Sequence, residues 1–227
     1  METTSPQSDQ SLDDLRLDLA PHIAEAAAFD GWTDAAVTAA AEMTGIDPAA
    51  ARFAFQGEQG SSAAMAMITA WAGSIDRAMA AALPPEQLAA MPIRQRITAL
   101  VQFRLDEIAG REEALRGALV ELAKPWNIAA ATRLGWRSAD AMWRLAGDTA
   151  TDYNHYTKRA ILGSVYAATL AVLVDDKSDE RADTRAFLAR RIEGIMRFEK
   201  TKAKFMKPKE ETFSVTRLLG RLRYPAR

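Results

Sequence analysis

The chain has no cysteine among its 227 residues. Disulfides and thiolate metal sites are therefore excluded, and the composition fits a reducing compartment. Histidine is nearly absent as well: His22 and His155 are the two, far apart, with no H-x-x-x-H or E-x-x-H spacing. That argues against a histidine metal centre. No nucleophile elbow, phosphate loop or glycine fingerprint occurs, so the sequence offers no recognisable catalytic motif. No apolar run reaches the roughly 18 residues that a membrane-spanning helix needs. The opening METTSPQSDQ lacks both a basic start and an apolar core, so it does not read as a secretory leader. Strand-like alternation and internal repeats are also missing.

What is present is apolar and helical. Hydrophobic residues make up 48% of the chain, enough for a substantial core. The net charge is only −1, so no global field selects nucleic acid or membrane. The charge is unevenly placed, however. Residues 199–227 carry nine Lys or Arg and three Asp or Glu, a local +6 that leaves −7 for the remainder. A basic tail on an acidic body points to an anionic partner for the tail.

Taken in order, residues 1–10 read as disordered. Leu12, Leu15, Leu19 and Ile23 then fall at helical spacing behind Ser11, with Pro21 predicting a kink or a restart and Gly31 a stop. Thr33–Met43 predicts a short helix. Gly45-Ile46-Asp47-Pro48 predicts a turn into a third helix carrying Phe53 and Phe55. Three short helices with that turn have helix-turn-helix spacing. Yet from Gly31 to Gly60 the only basic residue is Arg52, against Asp34, Glu42, Asp47 and Glu58. DNA affinity rests on several Lys or Arg at phosphates, so the charge argues against nucleic acid despite the spacing.

Longer helices follow over 61–83, 92–109 and 111–124, with a short helix or turn from Trp126 to Trp136. Ser178–Lys204 reads as one helix. The apolar positions between these helices admit two readings, an ordinary core or a ligand cavity. The cavity would be lined by Met65, Ile68, Trp71, Leu100, Phe103, Leu119, Met142, Leu162, Val165, Tyr166 and Leu170. Periodicity predicts burial and does not decide between them. The last stretch places Phe213, Val215, Leu218, Leu219 and Leu222 among Arg217 and Arg221, the pattern of a helix that lies on a membrane surface.

The most unusual stretch is Ala139–Asp176. Its first half is polar and aromatic, and Ala160–Val174 is almost wholly apolar, which predicts one long buried helix. Gly147 predicts the end of one helix, and Thr151 or Asp152 the cap of the next. Asp148, Asp152, Asp175 and Asp176 could hold a metal in principle, but carboxylates at helix ends more often act as caps. Trp143 beside Arg144 joins two residue types that dominate binding hot spots, although a core Trp is the plainer reading.

The runs Met142-Trp143, Ala146-Gly147-Asp148, Thr151-Asp152-Tyr153-Asn154 and Tyr156-Thr157-Lys158-Arg159 are the most specific in the chain. With Asp30-Gly31-Trp32 upstream and Phe187-Leu188 and Arg190-Arg191-Ile192 downstream, the sequence closely resembles the ubiquinone-biosynthesis lipid-binding family, the Coq-nine family, over about residues 12 to 205. The resemblance implies an all-α, TetR-like fold that no longer binds DNA. It implies a degenerate helix-turn-helix unit over 11–60, a lipid-binding and dimerisation domain over 61–206, and a membrane-associating tail over 207–227. It further implies a homodimer without catalytic activity or cofactor. That dimer would bind an isoprenoid quinone or other lipid and present it to the demethoxyubiquinone hydroxylase. The implied place is the surface of the inner membrane, on the cytoplasmic side in a bacterium or the matrix side of a mitochondrion. The family's partner surface includes the aromatic of its M-W pair, Trp143 here. Arg144, Asp148, Asp152, Tyr153, Tyr156 and Arg159 are its neighbours in the motif. The alternatives are a TetR-type transcriptional regulator with an apolar inducer, or a helical scaffold with a filled core.

Overall fold

A computed structural model describes residues 11–57, 62–149 and 153–206, with side-chain surroundings given up to residue 197 except at 153 and 196. Among the described residues there is no strand. The chain divides into two compact units, the first over Met1–Arg190 and the second over Arg191–Arg227.

The first helix, α1 (Leu12–Asp30), is opened by Ser11, whose hydroxyl accepts from the Asp14 amide at 3.1 Å. Asp13 and Asp14 complement the positive end of its dipole. Pro21 lies inside this helix, which continues through it without a restart. An interior proline costs roughly 3 kcal/mol or more. Packing offsets it, because Leu19, Ala20, Ile23, Ala24 and Ala27 are all buried where α1 meets its neighbours. Gly31 ends the helix at φ 65°, a left-handed conformation that a β-carbon would strain. Next comes Trp32, whose Nε1 donates to the Ala114 carbonyl at 3.0 Å and whose ring lies 5.4 Å from that of Trp71. The Asp30-Gly31-Trp32 motif thus fastens the N-terminal helices to the larger bundle.

Helices α2 (Asp34–Thr44) and α3 (Pro48–Ala54) enclose the expected turn. Gly45 is left-handed at φ 71°, and Asp47 accepts from the amides of Ala49 and Ala50. Phe55 is buried, but Phe53 is 60% exposed. α4 (Ala63–Ala82) is capped by Ser62 and buries Met65, Ile68, Trp71, Ile75 and Met79 along one face. The proline pair then starts a short helix, α5 (Pro85–Ala89), where the sequence suggests only a break. Its geometry follows from proline suiting the first helical turn. α6 (Ile93–Ile108) and α7 (Glu112–Ala123) complete the middle of the bundle.

Three expectations about the next helices are corrected. Trp126–Trp136 is not a separate short piece. After a 3₁₀ turn at Pro125–Asn127, α8 (Ile128–Leu145) runs unbroken through Gly135. A mid-helix glycine costs roughly 1 kcal/mol relative to alanine. The close approach of α9 (Tyr153–Leu173) is made at its own Gly163, where a β-carbon would lie 3.6 Å from the Gly135 carbonyl oxygen and 3.8 Å from the Ala139 Cβ, whereas a β-carbon on Gly135 would meet nothing within 4 Å. Nor is α9 buried all round. Arg159, Leu162, Val165, Tyr166, Thr169 and Leu173 form its buried face, while Ala160, Ser164, Ala167 and Ala171 are exposed. The run looks uniformly apolar because its outer face is built from small residues. The expected continuous helix from Ser178 begins instead with a 3₁₀ turn at Asp179–Arg181, in which Glu180 and Arg181 have φ 47° and 56°. Arg181 donates to Glu112 at 2.6 Å, which holds that turn in place. α10 (Ala182–Met206) follows, and its residues from Arg191 onward belong to the second unit.

Candidate functional site

The motif residues meet at the corner where α8 ends and α9 begins. Gly147 terminates α8 at φ 86°. This brings Asp148, which follows α8, back onto Lys158 and Arg159 of α9. Arg159 is 2% exposed; its Nε donates to Asp140 at 2.6 Å and its Nη1 to Asp148 at 3.0 Å and the His155 carbonyl at 3.1 Å. Burial works against its charge, but Asp140 and Asp148 outweigh that and hold its pKa above the ordinary value. Asp148 also accepts from Lys158 at 2.6 Å, and Asp140 from Arg144 at 2.7 Å. Two carboxylates therefore tie three cations into one network.

Trp143 closes this corner. It is half-buried, its indole Nε1 donates to the Lys158 carbonyl at 3.0 Å, and the Lys158 ammonium lies 5.2 Å from its ring centroid. Arg144 and Tyr156 stand outward, with Arg144's side chain 74% exposed and Tyr156 62% exposed. The rings of Trp136, His155 and Tyr156 gather beside it at 5.2 to 6.3 Å. Of the seven expected partner-surface residues, Arg144 and Tyr156 are thus on the surface and Trp143 is partly so. Arg159 and the Asp148 side chain are interior. Asp152 and the Tyr153 side chain lie outside the described residues, as do the Thr151 cap and the tail residues Phe213, Val215, Arg217, Leu218, Leu219, Arg221 and Leu222. Sequence reasoning missed Asp140, although its four-residue spacing from Arg144 is an ion-pair signal.

Of the carboxylates weighed as metal ligands, Asp152 lies outside the described residues, and Asp148, Asp175 and Asp176 are otherwise engaged. Asp175 accepts from Arg116 at 2.9 Å. Asp176 accepts four hydrogen bonds, from the amides and hydroxyls of Ser178 and Thr184. Burial alone would raise its carboxyl, but those bonds prevail and hold it far below the usual range. Among the described residues no group of three or more His, Asp or Glu could hold a metal ion.

The centre of the bundle holds a charge that the sequence reasoning did not anticipate. Arg104 is 1% exposed and bonds Asp76 of α4 and, at 3.1 Å, the Ser138 hydroxyl of α8. Its guanidinium carbon lies 4.9 Å from the centre of the Tyr166 ring of α9. Burial opposes its charge; Tyr166 and Asp76 overcome that and raise its pKa. Burial likewise pushes the Asp76 carboxyl up to about 6, against the pull of Arg104. The signal was legible, since Arg104 continues the apolar row of Ile97, Leu100 and Val101 at helical spacing.

Of the residues expected to line a cavity, Ile68, Leu100, Met142, Leu162, Val165 and Tyr166 are buried, and Phe103, Leu119 and Leu170 are half-buried. Two clefts open beside α4. A cleft of about 640 Å³ runs between α1, α4 and α8. Its wall includes Met65, the one residue of the expected eleven found there, beside Leu17, Ala66, Ala70 and Leu134. A smaller cleft of about 320 Å³, lined in part by Pro21, Trp71 and Ile75, opens on another side of α4.

The charged corner lies within the stretch that relatives share. A family model described as COQ9 matches residues 128–199, which begin at α8, cross the corner and enter α10. The human ubiquinone biosynthesis protein COQ9, mitochondrial, is 32% identical over 169 residues, 73% of this chain and 52% of that protein. This chain belongs to the COQ9 family. The rat protein of the same name is also 32% identical, with 73% of this chain and 54% of that protein covered. A probable ubiquinone biosynthesis protein coq9 from Dictyostelium discoideum is 25% identical over 57% of this chain and 41% of its own length. The COQ9-family chain spans about half the length of the curated relatives it matches. Among solved structures, a TetR transcriptional regulator from Nitrosomonas europaea aligns with a TM-score of 0.59. It is 20% identical and covers 81% of this chain and 97% of its own, a likeness of fold alone. The expected all-α, TetR-like fold is therefore the observed one.

Proposed function

We propose that this COQ9-family chain is a non-catalytic accessory protein of ubiquinone biosynthesis. It binds an isoprenoid quinone intermediate and presents it to the demethoxyubiquinone hydroxylase at the surface of the inner membrane, working as a homodimer. The observation that carries the reading is the family match over residues 128–199, the stretch that holds the corner of Trp143, Arg144, Asp148, Tyr156 and Arg159. The buried ion network gives that corner a fixed shape, and Arg144, Tyr156 and the edge of Trp143 supply residue types favoured at protein interfaces.

The lipid part of the reading is supported by the two clefts beside α4, where Met65 and Trp71 reach open space. No helix among the described residues is long and apolar enough to cross a membrane. A polyprenyl tail carries many methylenes, each costing about 0.8 kcal/mol to expose to water. A protein that covers part of that tail beside the enzyme reduces the cost of transfer.

The regulator reading shares the fold but lacks the charge. Arg52 is the single cation of α2 and α3, and it donates to the Thr38 hydroxyl at 3.2 Å, among Asp34, Glu42 and Asp47. Phosphate contacts need more than that.

Two measurements test the proposal. Mass spectrometry of lipids extracted from the purified protein is expected to recover an isoprenoid quinone, and recovery of no lipid of any kind would contradict it. Arg144→Ala with Tyr156→Ala is expected to weaken hydroxylase binding while leaving the melting temperature unchanged. Unaltered binding would remove the corner from the interface.

A further inference from the structure

The larger cleft carries a charge imbalance that the fold does not use. Five charged side chains line it: Asp13 and Arg16 of α1, Asp76 of α4, and Arg133 and Arg137 of α8. Three of these are already paired. Arg16 donates to Asp13 at 3.1 Å and to the Ala54 carbonyl at 2.6 Å. Asp76 is bonded to the buried Arg104. Arg133 and Arg137 have neither an ion pair nor a side-chain hydrogen bond among the described residues. They are four residues apart on α8, on one helix face, where like charges repel. Most other arginines along the bundle, including Arg77, Arg96, Arg111, Arg116 and Arg181, are bonded.

The cleft also has an apolar part, Leu17, Met65, Ala66, Ala70 and Leu134, beside the polar Gln56 and Thr69. Small residues let α1 pack closely on α4 along this wall. Ala66, Ala70 and Gly73 lie on one face of α4, and a β-carbon on Gly73 would come within 2.9 Å of Leu17 Cδ2. The volume of about 640 Å³ suits a ligand of drug size or one segment of a longer chain. A pair of arginine forks matches the oxygens of a carboxylate or phosphate, and an alkyl surface below them matches a hydrocarbon.

We propose that the cleft between α1, α4 and α8 binds an anionic amphiphile. Its carboxylate or phosphate head sits on Arg133 and Arg137, and its first carbons lie over Leu17, Ala66, Ala70 and Leu134. The proposal rests on the lipid-binding part of the function above and is independent of the quinone and of the hydroxylase. Arg133 and Arg137 set head-group specificity, and the α4 face admits the chain.

The test is calorimetric titration of the delipidated full-length protein at neutral pH, below micellar concentrations. The probes are laurate, dodecyl phosphate, dodecanol, dodecyltrimethylammonium and inorganic phosphate. Laurate and dodecyl phosphate are expected to bind about tenfold more tightly than dodecanol, as a head group gaining about 1.4 kcal/mol would. The ammonium amphiphile is expected to bind least, and inorganic phosphate to give no detectable heat. Arg133→Gln with Arg137→Gln is expected to bring laurate down to the affinity of dodecanol without altering dodecanol, and the paired Lys variant to retain most of the preference. Ala66→Trp is expected to weaken laurate and dodecanol together. Dodecanol binding as well as laurate in the parent protein would overturn the head-group assignment while leaving lipid binding intact. Inorganic phosphate matching dodecyl phosphate would reduce the cleft to a bare anion site and overturn the amphiphile. Binding of none of the probes would overturn the inference and the lipid reading of this cleft together.

Discussion

Replacing Arg159 with methionine removes the keystone of the α8–α9 corner. Its guanidinium is 2% exposed and makes three polar contacts of 2.6 to 3.1 Å. Methionine conserves much of the volume, so the loss is chiefly electrostatic. Breaking a buried pair by removing one partner costs about 3–5 kcal/mol, because a charge is left uncompensated. Here the orphans are Asp140 and Asp148, with side chains 19% and 5% exposed, and each keeps a second cation, Arg144 or Lys158. The low end applies, about 3 kcal/mol. For a domain of this size each kcal/mol moves the melting point by roughly 2–4 °C, so Arg159→Met is expected to lower it by about 6–12 °C. Urea unfolding followed by far-UV circular dichroism measures the free energy directly. Arg144→Ala is the control: Arg144 is 74% exposed and Asp140 keeps Arg159, and a pair with one partner in water contributes only about 0.2–1 kcal/mol. A double-mutant cycle of Arg159→Met with Asp148→Asn should show coupling above about 1 kcal/mol, since the two residues touch. If Arg159→Met unfolds within about 0.5 kcal/mol of the parent, the corner is not held by this network, and the argument for a rigid partner surface fails with it.

Trp143 separates two contributions. Trp143→Phe is expected to cost about 1 kcal/mol through the lost hydrogen bond to Lys158, and Trp143→Ala about 2.5–3.5 kcal/mol, half of what a fully buried ring would cost plus that bond. No loss in Trp143→Phe, read by urea unfolding, would show that the bond is idle. Asp176→Ala removes the acceptor at the start of α10 and should cost about 1 kcal/mol at neutral pH. Because the Asp176 carboxyl titrates below its unfolded value, its contribution is present above about pH 4 and lost as the pH falls further. The gap between parent and variant should therefore narrow in acid, and a gap that widens would reverse the assignment. Gly163→Ala is expected to be neutral or stabilising by up to about 1 kcal/mol, since the new Cβ meets its neighbours at ordinary contact distance. Gly163→Leu should cost about 1–3 kcal/mol by prying α9 from α8. Thermal melts that rank the two in the opposite order would contradict the close approach at Gly135.

Helix stops and starts were legible because they are local. Gly31, Gly45 and Gly147 all adopt positive φ at helix ends, and Ser11 and Asp47 both cap. Such choices are made by a residue and its nearest amides, and no distant partner is required. Where a local signal was overruled, packing did it. Pro21 sits unbroken inside α1, and Gly135 sits inside α8. Each loss is offset by a buried face or a close helix contact that no window of sequence contains.

The sequence by itself determined the helical class, the apolar faces, the acidic helix-turn-helix unit and the family motif between Met142 and Arg159. These follow from periodicity, composition and local spacing. The tertiary structure alone decided which residues of that motif stand at the surface, that Arg104 occupies the middle of the bundle, and that a cleft opens between α1, α4 and α8. The reason is that periodicity reports which side of a helix leaves water. Whether that side meets another side chain, a buried charge or a void depends on helices distant in the chain, and only their packing fixes it.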